Sequence, residues 1–352
     1  RQFSNRMKHI DDCVNLTIGQ PDFPMPDVVK EAYISAIRED KTSYSHNKGL
    51  SETRQAISNY FKNKYGFEYS EEEIIITNGA SEALDTSLRS IIEPGDEILI
   101  PGPVYAGYIP LIETLGGIPI YMDTTQSEFK VTPELINKHI TENTKAILLN
   151  YPTNPTGVIL ERSEVKAIVD TLVDKNLFII SDEIYAENTF KGAHTSFAEF
   201  EEIRDQLLLI GGLSKSHSAT GIRIGFLIGP EYLIEKLTFM HAYNCICANV
   251  PAQIACIAAL NEGLEAPQYM NDAYIKRRDY LKNKLESLGF ELTAQPEGAF
   301  YIFPSIKKFT ENDFDFCVDV LEQAHVAMVP GSSFTDMGKG YIRISYAYEM
   351  DM

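Results

Sequence analysis

The chain has 352 residues, enough for two domains or for one large domain with a smaller appendage. Hydrophobic residues make up 44% and charged residues 23%, an ordinary composition for a globular protein with a sizeable core. Lysine and arginine number 31 against 50 aspartates and glutamates. The net charge is therefore −19, and we expect neither nucleic acid nor an anionic membrane as a partner.

The five cysteines are odd in number and form no C-x-x-C pair, which favours a reducing cytoplasm over a disulfide-stabilised fold. Cys245 and Cys247 form an isolated C-x-C that we interpret as packing. The seven histidines show no ligand spacing, so no metal site is predicted. The sequence has no apolar run long enough to span a membrane and no signal peptide. It begins at Arg1 rather than Met, and we expect its N-terminus to have been shortened.

Short apolar runs alternate with helical stretches from about residue 73 onward. The candidate strands are residues 73–77, 97–100, 118–121, 146–150, 178–182, 207–210 and 224–228, with helical patterns between them such as 81–92 and 163–174. This alternation predicts an α/β fold in which helices cover a mostly parallel sheet. The connection before residues 224–228 is short for a crossover helix, so we expect that strand to run antiparallel.

The pattern changes after about residue 263. A charged amphipathic helical pattern covers 274–288, strand patterns cover 290–292, 298–303 and 341–345, and a helix is predicted near 315–324. We therefore predict a large domain over residues 26–262 and a smaller α+β domain over residues 1–25 and 263–352. The N-terminal part of the small domain has no strand pattern and is expected to pack against the rest of it.

Polar residues occur where the predicted strands end. Asp182 ends one strand, Asn154 follows another in an N-P-T-G run, and Gly79, Ala80 and Ser81 follow a third and open a helix. Because ligands bind at the carboxyl ends of strands in an open parallel sheet, these residues are candidates for one site. The free N–H groups at that helix start suit a phosphate. Taken singly, Asp182 also fits a helix N-cap and Asn154 a turn.

Lys215 follows the predicted strand at 207–210 and lies in the run SKSHSATGIRIG. Its amine can form a Schiff base with an aldehyde cofactor, and Arg223 can neutralise a phosphate on that cofactor. A P-loop would need glycine before the lysine, where this chain has Ser214, so nucleotide binding is excluded. Taken alone, the lysine would fit a surface role better, but the strand-end residues above favour a shared site.

With these residues in this order, the chain resembles the class I and II pyridoxal-phosphate-dependent aminotransferases of the aspartate aminotransferase fold, fold type I. The S-K-x7-R run around Lys215 carries the resemblance, which extends from about Asn15 to Ser345. It implies a large domain with a seven-stranded, mostly parallel sheet flanked by helices, plus a smaller α+β domain. The family usually continues with a closing helix beyond this chain's end, nine residues after Arg343, so we expect the C-terminus to have been shortened too.

The resemblance implies how the strand-end residues would hold pyridoxal 5′-phosphate. Lys215 would bind the cofactor covalently and transfer protons during catalysis. Asp182 would pair with the pyridine nitrogen, and Asn154 and Tyr185 would donate hydrogen bonds to the phenolic oxygen. Tyr105 would stack on the face of the ring.

The resemblance also implies a phosphate-binding cup and a second subunit. The cup would be formed by Gly79, Ala80, Ser81, Ser214 and Arg223. Tyr44 would reach the phosphate of the neighbouring subunit, which implies a homodimer with shared active sites. Many family members carry a hydroxyl three residues before the lysine; here that position is Gly212, so one expected phosphate ligand is missing.

The implied function is transfer of an amino group between an amino acid and a 2-oxo acid by a ping-pong mechanism. Arg343 would hold the substrate α-carboxylate, with Gly19 and Asn154 beside it. The chain is most similar to bacterial aminotransferases that act on aromatic, broad-range or N-acetyl-diaminopimelate substrates. Two alternatives stay open: a carbon–sulfur β-lyase on the same fold, and an aminotransferase-like regulatory domain.

Overall fold

A seven-stranded sheet forms the centre of the computed structural model, which describes residue 10 and residues 12–350. The strands lie in the order β2-β8-β7-β6-β5-β3-β4, which confirms the predicted sheet. The strands of the chain are β1 (Val14–Asn15), β2 (Ile74–Thr77), β3 (Glu97–Gly102), β4 (Ile118–Asp123), β5 (Thr144–Asn150), β6 (Phe178–Asp182), β7 (Leu207–Gly212), β8 (Gly225–Ile228), β9 (Tyr301–Ile302), β10 (Val326–Ala327), β11 (Val329–Pro330) and β12 (Ile342–Ser345).

The directions of the strands bring their carboxyl ends together. β8 is antiparallel to both β2 and β7, as predicted, and the remaining pairs are parallel. The connection from β7 to β8 holds a helix of four residues, which is too short to carry the chain back across the sheet for a parallel pairing. Because β2 is antiparallel to β8, it points the same way as β7. All strands of this sheet except β8 therefore end at one edge.

Helices cover both faces of the sheet, and the strands alternate between the two faces. Ile74 and Ile76 belong to one hydrophobic cluster, while Ile75 belongs to another. Because both faces of the sheet are buried, the sequences of these strands are continuous apolar runs and do not alternate between polar and apolar residues. The helices are α1 (Asp27–Arg38), α2 (Ser51–Tyr65), α3 (Ala80–Ile91), α4 (Tyr108–Thr114), α5 (Pro133–His139), α6 (Arg162–Leu172), α7 (Leu213–Ser216), α8 (Glu231–Cys245), α9 (Val250–Asn261), α10 (Ala266–Ser287) and α11 (Asp313–Ala324). None of the described helices is both long enough and apolar enough to cross a membrane.

The C-terminal region has α+β structure, and one strand of the N-terminal segment pairs with it. β11, β12 and β9 form an antiparallel sheet, and β1 pairs in parallel with β10. The expectation that the N-terminal segment has no strand is therefore wrong, because two residues are too few to show an alternating pattern. The strand predicted at 290–292 is reduced to one bridge between Glu291 and Ser305. Residues 1–9, 11, 351 and 352 of the predicted small domain lie outside the described residues.

Candidate active site

A cavity of about 660 Å³ opens at the carboxyl end of the large sheet. All of the predicted site residues line it except Gly79 and Tyr44. Those lining residues are Gly19, Ala80, Ser81, Tyr105, Asn154, Asp182, Tyr185, Ser214, Lys215, Arg223 and Arg343. The strand ends bring together residues that are far apart in the sequence, as the rule for open parallel sheets requires.

Lys215 lies on the short helix α7, just after β7, with its amine inside the cavity. Its Nζ donates a hydrogen bond to the carbonyl oxygen of Gly19 at 2.6 Å. Burial, together with the positive charges of Arg343 and Arg223, lowers the pKa of Lys215 to about 8 against the opposing effect of Asp182. Near neutral pH, a part of this amine population is therefore uncharged and nucleophilic.

Asp182 is the last residue of β6, and its carboxylate is buried in the cavity wall. Tyr108 donates a hydrogen bond from its hydroxyl to Oδ2 at 2.6 Å, and the N–H of Ile184 donates to Oδ1 at 3.2 Å. Burial raises the pKa of Asp182, while the bond from Tyr108 lowers it. Asn150, at the end of the neighbouring strand β5, donates to the backbone oxygen of Asp182 at 2.9 Å and fixes the strand end.

Helix α3 begins at the cavity without a side-chain cap. Its first N–H groups, at Ala80 and Ser81, are of the kind that a helix leaves without intrahelical partners, and they carry the positive end of the helix dipole. Arg223 lies beside them, donating to the backbone oxygen of Thr220 at 2.9 Å. Gly79 has a φ of +82°, and a Cβ there would overlap the Arg223 guanidinium. Only glycine lets the arginine approach this helix start so closely.

The glycine at position 212, where many family members carry a hydroxyl residue, has a structural reason. Gly212 pairs with Gly225 across the antiparallel strands β7 and β8. A Cβ on Gly212 would lie 2.9 Å from the backbone oxygen of Ile224 and 3.0 Å from the Cα of Gly225. A Cβ on Gly225 would in turn lie 2.7 Å from the backbone nitrogen of Ala80. The two strands are therefore too close to each other, and to the start of α3, for a hydroxyl residue at position 212.

Arg343 extends from β12 into the cavity and is buried. One terminal nitrogen donates to Oδ1 of Asn154 at 2.9 Å, and the other donates to the backbone oxygen of Thr17. Its guanidinium lies 4.5 Å from the ring centre of Tyr301 and 4.9 Å from that of Phe334. The Nε atom is buried and has no hydrogen-bond partner among the described residues.

Three further tyrosines, Tyr105, Tyr185 and Tyr301, line the cavity with Lys215. The hydroxyls of Tyr185 and Tyr301 lie 2.7 Å apart, and both side chains are buried. Tyr105 is 45% exposed and packs edge-on against Tyr108, with ring centres 5.3 Å apart. A Cβ on Gly107 would overlap the Tyr105 ring, so glycine at this position lets the ring lie close to the backbone. The exposed face of Tyr105 is available to a planar ligand.

Tyr44 lies outside the cavity, and its side chain is 78% exposed. It precedes helix α2 in a loop that contacts the end of α8, where Asn47 donates to the backbone oxygen of Ile246 at 2.8 Å. Within one chain, Tyr44 therefore makes no contribution to the cavity wall. Its predicted role in a partner's site stays a prediction.

Sequence reasoning missed several contacts within the site. Tyr108 holds Asp182, Tyr301 contacts both Tyr185 and Arg343, and Thr17 offers a backbone oxygen to that arginine. The sequence signal for Tyr108 was its position, three residues after Tyr105 and at the start of a helix. No signal in the sequence indicates the contacts of Tyr301 with Tyr185 and Arg343.

His217, two residues after the lysine, is absent from the cavity lining. Burial lowers its pKa to about 4, so the ring is neutral near physiological pH, and its Nδ1 lies 2.8 Å from the hydroxyl of Ser216.

The comparisons with known proteins agree with this geometry. The family model for class I and II aminotransferases matches residues 11–351 of the chain. The chain belongs to this family. The aminotransferase fold type I predicted from the sequence is thereby confirmed, together with the enzyme class.

Individual relatives cover the whole aminotransferase chain. A protein of Bacillus subtilis (strain 168) named a probable N-acetyl-LL-diaminopimelate aminotransferase is 48% identical over 352 residues, which are 100% of this chain and 89% of that protein. The crystal structure of an aromatic aminotransferase from Pyrococcus horikoshii OT3 matches with a TM-score of 0.93 at 34% identity, covering 99% of this chain and 95% of that one. The aspartate aminotransferase of Thermotoga maritima matches with a TM-score of 0.92 at 32% identity, covering 99% and 91%.

The chain is accordingly an aminotransferase, which moves an amino group between an amino acid and a 2-oxo acid. The three relatives carry aminotransferase names with different substrates. Nothing in these comparisons favours the carbon–sulfur lyase or the regulatory domain that the sequence left open.

Proposed function

We propose that this aminotransferase uses pyridoxal 5′-phosphate, bound in the cavity at the carboxyl end of the sheet, with Lys215 as the catalytic residue. The observation that carries the proposal is the position of the Lys215 amine. It is buried, its pKa is lowered to about 8, and it shares one cavity with the carboxylate of Asp182 and the guanidinium groups of Arg223 and Arg343. These are the groups that would match an aldehyde, a pyridine nitrogen, a phosphate and a substrate carboxylate.

The residues present fit the cofactor. The uncapped start of α3, the close approach of Arg223 and the glycine at position 79 leave a space beside backbone N–H groups where a phosphate would lie. Ser81 and Ser214 also line this part of the cavity. Asp182, held by Tyr108, would accept a hydrogen bond from a protonated ring nitrogen.

The mechanism follows from what each side chain can do. When bound, the cofactor supplies an aldehyde that condenses with amines and a ring that withdraws electrons from the substrate Cα. Asp182 would keep the ring nitrogen protonated, because its negative charge stabilises a positive charge beside it. The side chains of Asn154 and Tyr185 would donate hydrogen bonds to the phenolic oxygen and so orient the ring.

Lys215 holds the cofactor at rest and moves the proton during the reaction. With an amino substrate bound, its free amine would accept the proton from the substrate Cα and hold it for return in the second half of the transfer. An amine with a pKa of about 8 suits both steps, because acid–base catalysis is efficient when the pKa lies near the working pH. A second oxo acid then reverses the sequence, which gives ping-pong kinetics.

Arg343 binds the α-carboxylate of the substrate. Its buried Nε has no partner among the described residues, and its two terminal nitrogens are already fixed by Asn154 and Thr17. The planar guanidinium matches a carboxylate in geometry. Gly19 lies next to this position, and a Cβ there would overlap the hydroxyl of Tyr301.

We infer that the amino donor has a bulky or aromatic side chain and that the enzyme is not strictly specific for aspartate. Among the described residues that line the cavity, the cations are Lys215, Arg223 and Arg343, and each already has a role in the mechanism. No further arginine lies there for a second carboxylate. Ile18, Leu84 and Leu111 add apolar surface to the lining. We propose 2-oxoglutarate as an acceptor.

The active unit is proposed to be a homodimer in the cytoplasm, with Tyr44 contributing to the partner's phosphate site. Tyr44 is 78% exposed and lies outside the cavity of its own chain, so its side chain is free to reach the site of a neighbouring subunit. The five cysteines are free, which supports a reducing compartment.

We also propose the domain division that the sequence predicts. In it, residues 26–262 form the large domain and residues 1–25 and 263–352 the small one. The cavity would then lie between the two, because Gly19 and Arg343 come from the small domain and the other predicted site residues in the lining come from the large one.

Reduction with borohydride tests the cofactor assignment. We expect borohydride treatment of the purified protein to fix pyridoxal phosphate irreversibly on the peptide that contains Lys215, as located by mass spectrometry. Lys215→Ala should still bind the cofactor without a covalent bond but should lose repeated turnover. Labelling of a different lysine, or no labelling in an active preparation, would refute the assignment.

A further inference from the structure

A group of three potential metal ligands lies behind the start of α3, outside the cavity lining. Glu82, His241 and Cys245 place one carboxylate oxygen, one imidazole nitrogen and one thiol within 4.8 Å of one another. The Oε1 atom of Glu82 lies 2.9 Å from the Nδ1 of His241 and 2.9 Å from the Sγ of Cys245. The Sγ and Nδ1 atoms lie 3.6 Å apart. The mechanism proposed above uses none of these three side chains.

Two packed helices hold the group rigidly. His241 and Cys245 are one helical turn apart on α8, so both side chains point from the same face of that helix. Glu82 lies in the first turn of α3, which packs against α8. His241 is fully buried, so its ring cannot turn away into solvent. Metal sites require ligands that are held by rigid elements, as these are.

The carboxylate of Glu82 is already oriented by a neighbour. Asn78 donates to Oε2 twice, from its backbone N–H at 2.6 Å and from its side-chain amide at 3.1 Å. This leaves Oε1 facing His241 and Cys245. Hydrogen bonds that fix a ligand from behind are a regular feature of metal sites.

We propose that Glu82, His241 and Cys245 form a binding site for a zinc ion. Carboxylate, imidazole and thiolate are the three side-chain groups that bind zinc in proteins, at about 2.0–2.3 Å. Tetrahedral bonds of that length separate the ligand atoms by about 3.3–3.6 Å, so the sulfur–nitrogen distance already fits. The two 2.9 Å contacts to Glu82 need to open by about 0.4–0.7 Å to reach that range. The fourth position is left to water.

Binding would release one proton, that of Cys245, and would move the ring proton of His241 from Nδ1, which faces Glu82, to Nε2. The S–H bond of Cys245 breaks, a zinc–sulfur bond forms, and the proton leaves to solvent. The charges of one carboxylate and one thiolate then balance the ion. This proposal replaces the interpretation of Cys245 as simple packing. The His241–Cys245 spacing was an available signal in the sequence.

Loading with cobalt and zinc tests the proposal. The tag-free protein, with its cofactor, is treated with EDTA, dialysed and titrated with Co²⁺. We expect about one Co²⁺ per chain, with the intense long-wavelength absorption of a four-coordinate site, displaced by Zn²⁺. Cys245→Ser and His241→Asn should each weaken Co²⁺ binding about tenfold or more, as a lost ligand requires. Cys13→Ser is the matched control, because Cys13 is a half-buried thiol outside the group, and it should bind as wild type does.

The thermal unfolding temperature gives a second, independent measurement. Zinc should raise it in the wild type and in Cys13→Ser, but not in Cys245→Ser, because a ligand that binds only the folded chain stabilises it. Wild-type protein that shows no four-coordinate cobalt spectrum would overturn the proposal. Equal binding by Cys245→Ser would overturn it as well. Circular dichroism of each variant before titration establishes that a lost spectrum reflects a lost ligand and not unfolding.

Discussion

The buried amine of Lys215 makes the stability of the cofactor-free protein depend on pH. Its pKa is about 8 when folded, against an ordinary value of 10.5. Below pH 8, both states hold the proton, and the folded state bears the full cost of a buried charge. As the pH rises through 8, the folded protein releases the proton while the unfolded chain keeps it. Stability therefore increases with pH between these two values.

Comparison of wild type with Lys215→Met, both free of cofactor, measures this effect. Between about pH 7 and about pH 9, the free energy of unfolding of wild type should rise relative to the variant by about 1 kcal/mol. Urea denaturation at the two pH values gives the difference. Lys236→Met, which removes an exposed amine, is the control and should show no such change. A difference that falls with pH would show that the charged form of Lys215 is the favoured one in the folded protein.

At the scale of single residues, the sequence predicted the groups that lie in short motifs. Lys215, Asp182 and Asn154 each lie at a strand end or shortly after one, so strand prediction alone places them at one edge. The contacts of Tyr108 with Asp182 and of Tyr301 with Tyr185 were not predicted, because they cross long sequence separations. The bond from Tyr108 to Asp182 spans 74 residues and that between Tyr185 and Tyr301 spans 116. Such pairs depend on how helices pack on the sheet, which no local pattern encodes.

At the scale of elements, the close pairing of β7 with β8 restricts which side chains fit at position 212, next to the phosphate-binding cup. We expect Gly212→Ser to lower stability by about 1–3 kcal/mol, because its Cβ meets backbone atoms that cannot move independently. It should not strengthen cofactor binding, although it restores the hydroxyl seen in many family members. Denaturant unfolding and cofactor titration are the two measurements.

Gly221→Ser is the matched control for that experiment. Gly221 lies in the same connection, and a Cβ on it would have no other atom within 4 Å. The free energy of unfolding of Gly221→Ser should therefore differ from that of wild type by less than about 0.5 kcal/mol. If Gly212→Ser proved as stable as wild type and bound the cofactor more tightly, the strands would be more adaptable than their spacing indicates.

The strands of the large sheet were predicted closely because each is an apolar run bounded by turn residues. The antiparallel direction of β8 followed from the length of its connection. The small sheets were predicted poorly. β1, β9, β10 and β11 have two residues each, and their pairing is decided by the packing of the chain around them, not by their own sequence.

At the scale of the whole molecule, sharing of active sites between subunits can be tested by complementation. Tyr44→Ala and Lys215→Ala should each be inactive alone. Co-expressed with different affinity tags and purified as a hybrid, they should recover about one half of the wild-type activity per dimer, because a two-fold dimer then has one intact site. That site combines Lys215 of one subunit with Tyr44 of its partner.

A second pair of variants provides the control for complementation. Lys215→Ala combined with Asp182→Asn should recover no activity, because both residues line the cavity of the same chain. Recovery in the control pair, or a fully active monomer by light scattering, would contradict shared sites. The sequence could suggest this arrangement only through family resemblance, since a tyrosine in an exposed loop has no periodic signature.

The fixed guanidinium of Arg343 has a consequence for how tightly any carboxylate can bind. A free arginine side chain samples many rotamers, and holding it for a ligand typically costs about 0.5–1.5 kcal/mol in conformational entropy. Here Asn154, the Thr17 carbonyl and two aromatic rings have already restricted the side chain during folding. Affinity gained in this way does not depend on the substrate side chain. An enzyme with such a rigid anchor can accept varied amino acids without losing its hold on the group they share.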